Sequence, residues 1–339
     1  MREIERFEFP VPGTRTLAWV GDTLYDVAAG WRSFPLDGSP GGPWWEDYDY
    51  GEQFDAVTVS PLGDVIALTT STGTQGVLLE PDGSVIRELD RYDDQADAYR
   101  YPLTLFTLPN GRTGLVHCPN HSGRMDIEDA VTGEPLTLSA EESGADLYCS
   151  RLAVSPSGRY LLTAGWVWHP VNCLMVFDLR QALDGTDTLH TTGDVVDVNQ
   201  FGLPEVAGAC FLDDDVVVTT MSDSEADLGY NLGPKAVGRW SCANSEWLWR
   251  KELDRTAGDV LPMGDDFLAL YQSPRLYSGK TGELLAEWPD LSTGEAECSI
   301  TWEDHFSGPA RVAVDHANHR FAVTDGTTVT VIQLGPTAS

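Results

Sequence analysis

The chain has 339 residues, 42% of them hydrophobic, which supplies a packed core and excludes disorder as the starting expectation. Lys and Arg total 21 against 53 Asp and Glu, a formal net charge of -32. Such a surface repels phosphate backbones and anionic lipid, so nucleic acid and membrane partners are not expected, whereas basic proteins and cationic ligands are favoured. The same excess of acid also serves plain solubility.

The opening MREIERFEFPVPG has no apolar core of the signal-peptide kind, and no apolar run approaches the roughly 18 residues a membrane helix needs. A cytoplasmic location is the expectation. Cys118, Cys149, Cys173, Cys210, Cys242 and Cys298 are scattered with no CxxC pair, which predicts buried free thiols in a reducing compartment.

In chain order, Glu3–Phe9 (EIERFEF) alternates as a strand should. Leu17 opens a unit LAWVGDTLYDVAAG, and Asp55 to Leu89 forms a longer one, DAVTVSPLGDVIALTTSTGTQGVLLEPDGSVIREL. The latter has a β-branched run, an SPxG turn, a second apolar run, a polar loop and a third run. Ser-Pro followed by Gly supplies the fixed φ and the permissive position of a tight turn. Leu103 to Leu138 repeats the plan with LPNGR, and Arg151 to Leu179 repeats it again with SPSGRYLLTAG and VFDL. Further copies begin near Ala207 (GACFLDDDVVVTT), at VLPMGDDFLALY with YSGKTGELLAEW, and at Arg311 to Leu334. No segment sustains a 3.6-residue stripe, so helices are expected to be few.

Seven units spaced by roughly 40 to 55 residues match propeller blades of four short strands. The expected fold is all-β, a single seven-bladed β-propeller over residues 1–339. The blades are placed near 14–38, 55–91, 101–140, 150–200, 205–253, 258–290 and 308–334, the last completed by 3–9. That N-terminal strand closes the last blade and removes an open sheet edge. The pieces SPSGRYLLTAG…VFDL and YSGKTGELLAEW resemble WD40 repeats, with Phe177-Asp178 where the family has its Trp-Asp pair. The resemblance implies a non-catalytic platform for protein partners.

The face that carries the D–A and B–C loops has the long connections, and function gathers on long loops of a rigid scaffold. Asp37 to Phe54 packs Trp44, Trp45, Tyr48 and Tyr50 among Glu46, Asp47, Asp49 and Glu52, a composition that suits a cation or a partner's anchor residue. The other reading is that its tryptophans plug a gap between blades. Trp166 and Trp168 of the next loops, with Trp302 and Asp304 of EAECSITWEDH, are expected to extend this partner-binding face. His117 and His121 in HCPNHSG, the expected B–C loop of blade 3, with His169 one blade on, form a candidate three-ligand site for a divalent metal such as zinc; no other cofactor is expected. The acidic 222–233 insertion lacks the order of a calcium loop, and His316 and His319 fall on a turn of the opposite face. There is no GxSxG, HExxH or P-loop. The favoured function is therefore a protein-interaction scaffold. The alternatives are an enzyme or metal-dependent small-molecule site at the channel mouth, and a lectin-like sugar site.

Overall fold

The computed structural model describes residues 1–42, 50, 53–137, 147–167, 171–185, 189, 205–222, 232–301 and 311–336. Seven small antiparallel sheets stand in a ring. Blade 1 is β2 (Ala18–Val20), β3 (Thr23–Asp26) and β4 (Arg32–Phe34). Blade 2 is β5 (Ala56–Val59), β6 (Ile66–Thr69), β7 (Gln75–Leu79) and β8 (Val85–Asp90). Blade 3 is β9 (Leu103–Thr107), β10 (Thr113–His117) and β11 (Asp126–Asp129). Blade 4 is β12 (Leu152–Val154), β13 (Tyr160–Val167) and β14 (Val171–Asp178), followed by α1 (Leu179–Leu183).

Blade 5 is β15 (Val206–Leu212), β16 (Asp215–Thr220), β17 (Ala236–Ser241) and β18 (Glu246–Glu252). Blade 6 is β19 (Val260–Met263), β20 (Asp266–Ala269), β21 (Arg275–Tyr277) and β22 (Leu284–Glu287). Blade 7 is β23 (Val312–Asp315), β24 (Arg320–Thr324) and β25 (Thr328–Gly335), completed by β1 (Arg2–Pro10). The first strand of each blade touches the first strand of both neighbours, so β2, β5, β9, β12, β15, β19 and β23 surround the axis.

The N-terminal strand closes the ring as expected. β1 pairs antiparallel with β25, with Phe7 opposite Val331 and Phe9 opposite Val329. Phe7 and Phe9 then pack toward Phe34 of blade 1. The termini are thereby hydrogen-bonded to each other, and the edge of β25 is covered.

One apolar cluster fills each of the seven interfaces between neighbouring blades. Strand alternation divides each middle strand between two such clusters. In β16, Val216 and Val218 face blade 4, while Val217 faces blade 6. Both faces are buried, which is why the sequence reads as unbroken runs such as VVV and VIAL rather than as polar–apolar alternation. All six cysteines are free. Burial raises the thiols of Cys118, Cys210 and Cys242, so they act as small apolar fillers rather than nucleophiles.

The turns that join first and second strands are short and repeat one design. Gly63 donates to the Ser60 carbonyl, Gly111 to that of Leu108 and Gly158 to that of Ser155 (2.8–2.9 Å). His316 and His319 lie on the corresponding exposed turn of blade 7.

Candidate functional site

The opposite face carries the long connections, and its best-defined element is the loop 91–102 between blades 2 and 3. Arg91 directly follows β8 and turns inward, where it is 3% exposed. Its guanidinium donates to the carbonyls of Gly73 (2.6 Å), Arg100 (3.2 Å), Tyr99 (3.0 Å) and Ala96. It also lies 4.3 Å from the ring centre of Tyr99 and 5.2 Å from that of Tyr101. Burial lowers the Arg91 pKa, and the two tyrosines are pushed up for the same reason. One buried cation thus ties carbonyls of the loop to the Gly73 carbonyl of blade 2; Ala96 O also accepts from Gly73 N–H (2.7 Å) and Arg100 O from Ser150 Oγ (3.3 Å).

This pin fixes the outward half of the loop. Tyr92, Asp93, Asp94 and Asp97 are exposed. Tyr148 donates its hydroxyl to Asp94 (3.0 Å), and the Tyr92 ring stacks on His121 at 5.6 Å and 9°. The result is an acidic, aromatic ridge on a rigid base, which is the arrangement that receives a cationic anchor without an ordering cost on the protein's side. Sequence reasoning missed it. The available signal was RYDDQADAYRY, three carboxylates within five residues bracketed by Arg and Tyr.

Of the residues expected to bind a partner, Tyr50 and Trp166 are described. Tyr50 is half-buried, donates its N–H to the Ala28 carbonyl (2.7 Å) and packs near Phe54, in the seam of blades 1 and 2. Trp166 is 6% exposed and stacks on Tyr148 at 4.2 Å, with Tyr99 edge-on to Tyr148 beyond it. These two aromatics therefore support the face from beneath. Trp44, Trp45, Asp47, Tyr48, Asp49, Trp168, Trp302 and Asp304 lie outside the described residues.

His117 is the last residue of β10, not a loop residue, and is 3% exposed. Its Nε2 stands 3.3 Å from Glu128 Oε1, and Glu128 in turn accepts from Arg87 across the blade 2–blade 3 seam (2.6 Å). His121 uses Nδ1 to accept the Gly123 N–H (3.1 Å). The two histidines thus face different partners. His169 lies outside the described residues, and among those described no three His, Cys, Asp or Glu side chains form a metal-sized group.

A second element was also missing from the sequence reading. Residues 293–301 leave blade 6 and run back over the long-loop face as a strap. Gln272 donates to the Gly294 carbonyl (2.7 Å), Ser222 donates its N–H and hydroxyl to Glu297, and Asn172 Nδ2 meets Cys298 Sγ at 3.2 Å. Ser299 then donates to the Ala207 carbonyl, and the Ile300 carbonyl accepts from Arg100 N–H (3.3 Å). Thr301 finally pairs with Tyr99. The strap therefore ties blade 6 to blades 5, 4 and 3, and Ile300 is fully buried among residues of blades 4 and 5.

No protein-family model and no curated protein matches the sequence. The fold matches many solved structures. A chain in the crystal structure of a mitotic checkpoint complex is 10% identical with a TM-score of 0.58, over 98% of this chain and 94% of that one. A chain of Kuenenia stuttgartiensis hydrazine synthase is 12% identical with a TM-score of 0.60, over 96% and 97%. BamB from Moraxella catarrhalis is 12% identical with a TM-score of 0.50, over 100% and 99%. At these identities the likeness establishes the propeller fold. A checkpoint assembly and an enzyme both appear among the neighbours, so the fold does not choose between scaffold and catalyst.

Proposed function

We propose that this protein is a non-catalytic interaction scaffold, which binds a basic partner protein through its acidic long-loop face. The observation that carries the reading is the ridge Tyr92, Asp93, Asp94 and Asp97, exposed on a loop held rigid by buried Arg91. Trp44, Trp45, Asp47, Tyr48 and Asp49 of the neighbouring connection, with Trp168, Trp302 and Asp304, are proposed to extend it; Tyr50 and Trp166 brace it. Neither nucleic acid nor membrane is a proposed partner. The charge of -32 opposes phosphate backbones, and among the described residues no helix is long and apolar enough to cross a bilayer. A cytoplasmic setting accords with six unpaired thiols.

The test is capture from the native host over a salt series, read by mass spectrometry, with two variants alongside. One carries Asp93→Asn, Asp94→Asn and Asp97→Asn; the other carries Trp44→Ala and Trp45→Ala. A charge-steered partner is retained at low salt, released at high salt and lost with the triple variant. Equal capture by wild type and triple variant removes the ridge from the reading.

A further inference from the structure

We propose that the axial channel holds an oxyanion-binding site formed by Arg100 and Arg151, with Asp259 as a built-in competing counter-ion. The site lies on the channel axis and does not depend on how the outer face binds its partner.

Cations are scarce in this chain, 21 against 53 acids, so their placement is informative. Arg151 directly precedes β12 of blade 4, Arg100 lies just before β9 of blade 3, and Asp259 directly precedes β19 of blade 6. Arg151 Nη2 is 2.6 Å from Asp259 Oδ1, and Arg100 Nη1 is 3.8 Å from Asp259 Oδ2. Blades 3 and 4 are not neighbours of blade 6 in the ring. These side chains therefore meet across the axis.

Two guanidinium groups share one carboxylate here. Asp259 Oδ1 is further engaged by the Val260 N–H (2.9 Å). Asp55, the other acid whose charge reaches Arg100, accepts the Ser71 N–H with its Oδ1. Among the described residues, Arg100 makes that one 3.8 Å ion pair and no side-chain hydrogen bond. Arg151 Nε is sealed from solvent without a hydrogen-bond partner. Burial, then the like charge of Arg151, lowers the Arg100 pKa to about 10. A planar fork with open donors is the group that binds a carboxylate or phosphate bidentately.

The backbone holds these forks in place. Arg151 has φ +43°, the left-handed region, which is unfavourable for a side chain of its size and aims it where an extended residue would not. The strap fixes the other side, because the Ile300 carbonyl accepts from both Arg100 N–H and Ser150 Oγ. Both arginine side chains remain about one-fifth exposed, so a small ligand reaches them. The net charge of the rest of the surface disfavours stray anions elsewhere.

The experiment is isothermal titration of the full chain at low ionic strength with inorganic phosphate and, separately, malonate. Arg100→Gln and Arg151→Gln are each expected to weaken binding by about tenfold or more, the loss of a charge-assisted hydrogen bond. Asp259→Asn is expected to tighten binding by about tenfold, because the internal competitor is gone. That variant keeps an acceptor for Val260 and tests the site even if an arginine variant fails to fold. Preference for phosphate over malonate, or the reverse, identifies the ligand's headgroup. No heat from either anion, or an affinity unchanged by Asp259→Asn, overturns the proposal.

Discussion

The two faces of the propeller are built by different rules. On the short-turn face the same local bond recurs, from Gly63 to Ser60, from Gly111 to Leu108 and from Gly158 to Ser155. Each turn is closed by its own bond within four residues, and contact with the next blade is added by side chains, as where Thr113 of blade 3 donates to Asp64 (2.6 Å). On the long-loop face the described connections differ from one another. The loop 91–102 hangs on one buried arginine, and the 293–301 strap reaches from blade 6 to blade 3 through bonds that occur once each. Arg275, 1% exposed, performs a similar task inside blade 6, donating to the Thr256 carbonyl and the Tyr277 hydroxyl. A face assembled from single-copy, long-range bonds varies without disturbing the ring, and that freedom places function there.

The largest expected effect comes from breaking one of those single-copy bonds. Arg91→Ala removes a donor from four carbonyls; those of Ala96 and Arg100 keep the Gly73 N–H and the Ser150 hydroxyl, and those of Gly73 and Tyr99 lose the guanidinium. The expected cost is about 3 kcal/mol of unfolding free energy, measured by urea denaturation. Limited proteolysis should cut first between residues 92 and 98. A loss below about 1 kcal/mol would mean that the loop is held by something other than the pin.

What the sequence revealed follows the same division. The turns were legible because SPxG and LPNG spell out their own geometry, and the closing strand was legible because EIERFEF alternates. Arg91 was not, because its partners are backbone carbonyls, which have no residue signature. The strap was not, because 293–301 carries no repeat and its partners lie up to three blades away. Trp166, expected on the partner-binding face, lies within β13 opposite Asn172, one pair before the end of its ladder with β14. His117 was misplaced by one position, the final residue of a strand rather than the first of a loop. A sequence marks strands by period, but it does not mark where a strand stops within a polar run.

A smaller effect sharpens the other side of the comparison. Gly158 has φ +68° with open space around its α-carbon, the nearest atom being the Thr107 carbonyl oxygen at 3.9 Å from an added β-carbon. Gly63 has φ +70° with nothing within 4 Å. Alanine at either position meets no clash and costs only the left-handed backbone, about 1 kcal/mol. If the turns are interchangeable local units, the two variants should lose the same stability, and the double variant should lose the sum. A departure from additivity would show that these turns communicate through the blades.

The smallest effect lies where the faces meet, in the seam of blades 2 and 3. Burial works to raise the Glu128 carboxyl, but His117 and Arg87 beside it prevail and hold it below the usual carboxylate range. A depressed folded pKa contributes stability above the unfolded value, which is lost as pH falls through the folded one. Arg87→Met removes a cation that donates to both Glu128 and the Ala130 carbonyl. The pH-dependent part of its cost is expected to be about 0.5 kcal/mol. Urea midpoints at neutral pH should therefore separate wild type from the variant by more than midpoints taken below the depressed wild-type value, where Glu128 is neutral in both. Adding Glu128→Gln should erase that dependence. A gap between wild type and Arg87→Met that stays constant with pH would assign the arginine's role to the Ala130 carbonyl alone, and the seam would then be held by a neutral acceptor, like the turns, rather than by charge.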